Sequence, residues 1–67
     1  DRILSGLMEK NQRWHDAVLL AYYMDIPQER VAEIMGVKIG VLHSILHRAK
    51  VWIRKTYGVE YEEMSRK

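Results

Sequence analysis

The stretch PQERVAEIMGVKIGVLHSILHRAKVWIRK, residues 27–55, decides the fold of this chain. A short segment with apolar residues at helical spacing ends at Gly36, and a longer one begins two residues later. Glycine readily adopts the left-handed conformation that follows many helix C-termini, so Gly36 predicts a tight turn. Ala32 is small at the point where the two helices must approach each other. The stretch therefore predicts a short helix, a sharp turn and a longer helix.

Two more helices are predicted before this stretch. Over residues 2–10 apolar side chains form a helical stripe, although Gly6 lowers the helix propensity there. Asn11 is a residue type favoured at the N-cap, and we expect it to start a second helix over residues 12–24. Apolar side chains surround most of this second helix, which is typical of a helix at the centre of a core.

The last two helices have recognisable boundaries. Pro27 lacks an N–H group and suits the first turn of a helix, so the third helix is predicted over residues 27–35. The fourth and longest helix is predicted over residues 38–57 and ends at Gly58. Residues 59–67 are polar and acidic, and we expect them to form a frayed tail. The whole chain is thus predicted to be one all-α, four-helix domain with a long C-terminal helix.

Length and composition exclude several classes of protein. A chain of 67 residues without cysteine forms one small domain whose core depends on apolar packing, and 48% of its residues are hydrophobic. No apolar run approaches the roughly 18 residues that would span a membrane, and no secretory leader precedes the domain, so a cytoplasmic location is expected. The first residue is Asp1 rather than Met, which fits a fragment of a longer protein.

Positive charge is concentrated in one segment. From Lys38 to Lys55 there are five Lys or Arg residues and no Asp or Glu, whereas the preceding residues carry four cations and six anions. One basic helix on a slightly acidic body favours a polyanionic partner that binds a single face. An unevenly charged but merely solvated helix is the alternative.

A short helix, a glycine turn and a longer basic helix are the parts of a DNA-binding helix-turn-helix unit, here over residues 27–55. In such units the N-terminal half of the second helix, the recognition helix, contacts base edges in the major groove. A helical wheel puts the core stripe of the fourth helix at Ile39, Leu42, Leu46, Ala49 and Ile53. The residues predicted to read DNA are Lys38, Val41, Ser44 and Arg48, with His43 and His47 beside them. Gly40 is expected to allow a close approach to the DNA backbone, and Lys50 to meet a phosphate or water.

Residues 14–55, about two-thirds of the chain, resemble region four of bacterial sigma factors, particularly the extracytoplasmic-function group. VAEIMGV at 31–37 is similar to the IAEILGV of that family, and SILHRAK at 44–50 is similar to its SRLHRAR. The resemblance implies a domain that recognises the −35 promoter element of double-stranded DNA and docks on the β-subunit flap of RNA polymerase. LuxR-type and phage regulators share the glycine turn and form the alternative, although LHRAK favours the sigma group.

Four positions depart from the family pattern. The family has Ser, Thr, Lys and Arg where this chain has Lys38, Val41, His43 and Ile45. Loss of the serine removes a helix N-cap worth about 1 kcal/mol. Val41 and Ile45 replace groups that can hydrogen-bond to bases or phosphates. Either the preferred DNA offers thymine methyl groups to these side chains, or this face contacts a protein, and both alternatives stay open.

Two apolar surfaces are candidates for protein partners. The first consists of Leu4, Leu7 and Met8, together with Ile3, and in the sigma family such a face holds the polymerase flap; ordinary core packing is the alternative. Ile45 and Trp52, together with Val41, form a strip that would suit a homodimer or an anti-sigma-like partner if it is exposed. Packing of Trp52 in the core, or against the first helix or the tail, is the favoured interpretation there.

Catalytic and metal sites are not predicted. His43 and His47 are four residues apart and share a helix face, but no third ligand is evident, and two ligands do not make a structural zinc site. The serines have no base-and-acid arrangement around them, and no glycine-rich loop suits a phosphate. We therefore expect a binding domain without a cofactor.

Overall fold

The structure, a computed structural model, describes residues 1–58, and this part of the chain is folded into α-helices, one of which ends in π-helical geometry. Helix α1 spans Arg2–Lys10, α2 spans Gln12–Val18, α3 spans Gln28–Met35 and α4 spans Ile39–Tyr57. The predicted all-α architecture of the domain is confirmed for the described residues. The predicted tail, residues 59–67, lies outside them.

A single residue, Asn11, separates α1 from α2 and serves both helices. Its backbone N–H donates to the Leu7 carbonyl at 2.8 Å and so closes the last turn of α1. Its side-chain oxygen accepts from the backbone N–H groups of Arg13 at 3.0 Å and Trp14 at 3.3 Å. These N–H groups have no partner within the first turn of a helix, so the predicted N-cap is confirmed.

The second helix changes geometry in its last turns. Leu19–Tyr23 is π-helical and follows α2 without a break. The Met24 N–H donates to the Leu19 carbonyl, five residues earlier, at 3.0 Å. The predicted helix over residues 12–24 is therefore present but widens after Val18. Asp25 then adopts a positive φ of 53°, and this bend redirects the chain towards α3.

Helix α3 begins one residue later than predicted. Pro27 has a ψ of 140°, which is extended, so it lies at the N-cap and not in the first turn. Its carbonyl still accepts from the N–H groups of Arg30 at 2.9 Å and Val31 at 3.0 Å. At the other end Gly36 is left-handed with a φ of 69°, as predicted, and the Val37 N–H returns to the Ala32 carbonyl at 2.9 Å.

Helix α4 contacts each of the other three α-helices. The buried core of the described residues combines two side chains each from α1, α2 and α3 with four from α4: Ile3, Leu7, Ala17, Val18, Val31, Ala32, Leu42, Leu46, Ala49 and Ile53. Ile39 was predicted in this stripe but is 40% exposed, because it lies in the first turn of α4 where its neighbours do not cover it. Within residues 1–58 no helix combines the length and apolar character needed to cross a membrane.

Candidate functional site

The inner stripe of α4 fixes which face of that helix meets solvent. Leu42, Leu46, Ala49 and Ile53 are buried at a spacing of three or four residues, so the opposite side of the helix must face outward. The three-residue connection from Gly36 to Lys38 holds the start of α4 next to the end of α3. The orientation of α4 is thus set by core packing at one side and a short turn at one end.

Seven of the eight residues predicted to contact DNA are exposed in the structure. They lie in the N-terminal half of α4 and at its N-cap: Lys38, Gly40, Val41, His43, Ser44, His47 and Arg48. We call this set the outer face. The Ser44 hydroxyl lies 3.3 Å from the Gly40 carbonyl one turn earlier and donates to it, which leaves its oxygen free to accept. Apart from Gly40, its chain neighbours and the adjacent backbone of α4, no atom lies within 4 Å of the position that a Cβ on Gly40 would take, so a partner surface can approach the helix there.

The outer face carries two cations, Lys38 and Arg48, and no acidic residue. The segment from Lys38 to Lys55 contains no acidic residue, and the structure gives its cations no ion pair with any residue of 1–58. Arg30 differs, since its guanidinium lies 3.3 Å from the Glu33 carboxylate on α3. Among residues 1–58, the cations of α4 thus have no ion pair, whereas Arg30 on α3 has one.

Lys50, the eighth predicted residue, has a different environment. It is half-buried, and its ammonium lies 4.9 Å from the centroid of the Tyr22 ring, a cation–π contact between α4 and the π-helical turn. Both residues line a shallow groove, here called the Tyr22 groove, whose walls are formed by Tyr22, Gln28, His43, Leu46, His47 and Lys50. Lys50 is thus held at the rim of a concave surface and does not project freely into solvent.

The Tyr22 hydroxyl is buried and has no hydrogen-bond partner. Among the described residues, every other buried side-chain nitrogen or oxygen has one. A buried hydroxyl without a partner costs about 1–3 kcal/mol relative to one that is hydrogen-bonded. Such a group in a small domain requires an explanation from its surroundings.

His43 and His47 border the same groove, but they lack further ligands for a metal. Among residues 1–58 no group of three or more His, Cys, Asp or Glu side chains is placed to hold a metal ion. The two imidazoles are exposed and present N–H donors to the solvent side of α4.

The first candidate partner surface, around Leu4, Leu7 and Met8, has fewer accessible side chains than predicted. Leu7 is completely buried in the core, so it does not form part of an accessible surface. Leu4 is half-buried against the core, and Met8 is 47% exposed. Core packing is therefore what Leu7 contributes, and only Leu4 and Met8 remain at the surface.

The second candidate partner surface, formed by Val41, Ile45 and Trp52, exposes less apolar area than predicted, because Trp52 packs within the domain. Its Cη2 atom lies 3.3 Å from the position that a Cβ on Gly6 would take, and its ring meets the Tyr57 ring edge-on at a centroid distance of 5.8 Å. Ile45 is half-buried against the core, whereas Val41 is 45% exposed. Packing of Trp52 against the first helix, the interpretation that the sequence favoured, is confirmed.

Sequence reasoning missed Tyr22 and Gln28 as neighbours of the basic helix. The spacing of His43, His47 and Lys50 at i, i+4 and i+7 indicates that these three share one edge of α4. The element that faces this edge depends on how the π-helical turn and α3 pack, and no local pattern encodes it.

Comparison of the chain with protein-family models, with curated proteins and with solved structures finds no match.

Proposed function

We propose that this domain binds double-stranded DNA sequence-specifically by inserting the outer face of α4 into the major groove. The observation that carries the proposal is the outer face itself, an exposed basic surface without acidic residues on a helix whose opposite side is buried. A major groove about 12 Å wide accepts one α-helix, and phosphates on both sides of it attract the cations. Residues of α3, the turn and α4 then act as a helix-turn-helix unit.

Within the outer face we assign different roles to different side chains. Arg48 offers a planar guanidinium that suits guanine, and Ser44 suits several bases. Val41, which is exposed, suits a thymine methyl group. Arg54 and Lys55, near the C-terminal end of α4, suit phosphates, which set affinity and salt dependence and not sequence choice.

The biological role that we propose follows from the resemblance to sigma region four. In that role the domain positions RNA polymerase at particular promoters, and other parts of the transcription machinery melt the DNA. The surface left around Leu4 and Met8 is where we expect a polymerase contact of this kind.

Fluorescence anisotropy with a labelled promoter-like duplex pool and a random duplex, over a salt series, tests DNA binding. We expect a steep fall of affinity with salt for both and tighter binding to members of the promoter-like pool. Arg48→Ala should cost about 1–3 kcal/mol on the preferred duplex and reduce its advantage over the random one. Lys10→Ala, which removes an exposed cation from α1, is the matched control and should preserve that advantage. Absence of wild-type binding at low salt would refute the proposal.

A protein-interaction module is the second candidate function, favoured by the exposure of three apolar side chains around the turn. Ile34, Ile39 and Val41 are between 40% and 51% exposed. Val41→Asp tests this candidate better than a change at Ile45, which packs on the core. Loss of self-association in analytical ultracentrifugation, with no DNA binding by the wild type, would favour the interaction module.

A further inference from the structure

We propose that the Tyr22 groove binds one phosphate group of the DNA backbone. This inference rests on the DNA-binding function proposed above and names a contact within it. The groove lies where the π-helical turn, the start of α3 and the edge of α4 meet, so three elements fix its shape.

The chemistry of the groove matches an anion. Its polar side chains offer N–H donors from the Lys50 ammonium, the His43 and His47 imidazoles and the Gln28 amide, and no acidic residue lines it. A phosphate carries negative charge and accepts hydrogen bonds through its oxygens without donating any. A neutral or cationic ligand would leave several of these donors without acceptors.

Lys50 is already oriented for this role. Its ammonium lies 4.9 Å from the Tyr22 ring centroid, so the ring stabilises a conformation in which the charge stays at the groove. A long, flexible side chain loses conformational entropy when it binds a ligand, and this loss is smaller when the chain is held in advance.

The buried Tyr22 hydroxyl supplies an independent reason. It has no hydrogen-bond partner in the free domain, and Tyr22 lines the groove. Because the hydroxyl is buried, surrounding side chains would have to move before a phosphate oxygen in the groove could accept a hydrogen bond from it. Binding would then relieve an unfavourable feature of the free protein.

The position of the groove agrees with the proposed docking of α4. His43 and His47 belong both to the outer face and to the groove, so the groove borders the surface that would enter the DNA. An α-helix with its side chains is about 10–12 Å across and nearly fills a major groove, so residues along its edge lie beside the phosphates.

Fluorescence anisotropy of labelled duplexes over a salt series tests the groove with the variants Lys50→Met, Lys10→Met and Tyr22→Phe. Lys50→Met keeps an unbranched apolar side chain beside Tyr22 but removes the charge, and Lys10→Met removes an exposed cation far along the chain on α1. We expect Lys50→Met to lower the slope of log K against log salt by about one and to weaken preferred and random duplexes by the same factor. Lys10→Met should keep the wild-type slope.

Tyr22→Phe separates a role in binding from a role in folding. Since the hydroxyl is unpartnered in the free domain, its removal should preserve or raise Tm, while duplex affinity should fall about fivefold or more. Unchanged affinity, with or without a change in Tm, would overturn the assignment of the hydroxyl to the phosphate.

The outcomes distinguish the groove from the wider DNA-binding proposal. If wild type binds duplexes and Lys50→Met keeps the full salt slope, the groove assignment is wrong and DNA binding stands. If wild type binds no duplex even at low salt, both are wrong. Saturation of the groove by micromolar inorganic phosphate, followed by NMR of the His43 and His47 imidazoles, would identify free phosphate as the ligand and overturn the assignment to DNA.

Discussion

Replacement of Gly6 by alanine should destabilise this domain, although the same change in most helices is stabilising. Gly6 lies inside α1, at the point where α1 meets the C-terminal end of α4. A Cβ at this position would overlap the Tyr57 hydroxyl and lie 3.2 Å from the Tyr57 Cζ atom. Tyr57 would therefore have to leave its place.

The cost of moving Tyr57 follows from its contacts. The Tyr57 hydroxyl donates to the Arg2 carbonyl at 3.1 Å, a bond worth about 1 kcal/mol. Its ring packs edge-on against Trp52, worth about 1 kcal/mol, and lies 5.6 Å from the Arg2 guanidinium, worth about 0.5–1 kcal/mol. Alanine returns about 1 kcal/mol in helix propensity. We expect a net loss of about 1–2 kcal/mol in the free energy of unfolding and a Tm lower by about 5–15 °C.

Thermal unfolding followed by circular dichroism measures this effect, and Gly40→Ala is the matched control. Gly40 is also inside a helix, but apart from its chain neighbours and the adjacent backbone of α4 no atom lies within 4 Å of where its Cβ would be, so its replacement should raise Tm. The double variant Gly6→Ala/Tyr57→Phe lacks the obstructing hydroxyl. Its loss in the free energy of unfolding should therefore be smaller than the sum of the losses of the two single variants. If Gly6→Ala raises Tm as Gly40→Ala does, then α1 does not dock through Tyr57 and the reasoning fails.

Three further substitutions test other parts of the fold and the site. Asn11→Ala removes the acceptor of two backbone hydrogen bonds and should cost about 1 kcal/mol in urea unfolding, whereas Asn11→Asp should preserve stability. Gly36→Ala places a Cβ at a φ of 69° with open space around it, so backbone strain alone should cost about 1 kcal/mol, and a Tm equal to wild type would contradict the turn. Gly40→Ala should weaken duplex binding in anisotropy while it stabilises the free domain, and unchanged affinity would show that the DNA backbone does not approach this residue.

Two helix boundaries were predictable from the sequence, whereas Pro27, predicted in the first turn of α3, lies at its N-cap. Asn11 and Gly36 act through their own side chain or backbone conformation, and both lie where local chemistry predicts. The inner stripe of α4 was also predictable beyond its first turn, because periodicity gives the direction in which a side chain points. Ile39 marks the limit of that argument, since a direction does not guarantee a neighbour that covers the side chain.

Features that depend on distant residues were not predictable. Gly6 looked like a weakness of α1, but its lack of a side chain makes room for Tyr57, 51 positions later in the chain. The π-helical geometry of Leu19–Tyr23 has no sequence signature, and it carries Tyr22, which lines the groove beside α4. Both the docking of α1 and the composition of the candidate phosphate site therefore needed the tertiary structure.

The two halves of α4 have separable physical roles. The C-terminal half is fixed to α1 through Trp52 and Tyr57, whose contacts with α1 and with each other contribute to stability. The N-terminal half exposes polar and basic side chains that contribute little to packing, so their replacement should leave Tm nearly unchanged. Binding and stability should thus respond to different residues of one helix.

Lys50 lies between the two halves and belongs to both, because its contact with Tyr22 packs α4 against the π-helical turn while its charge faces the groove. If the proposed DNA binding holds, substitutions at the exposed residues Val41, Ser44 and Arg48 should change binding specificity without changes to the core.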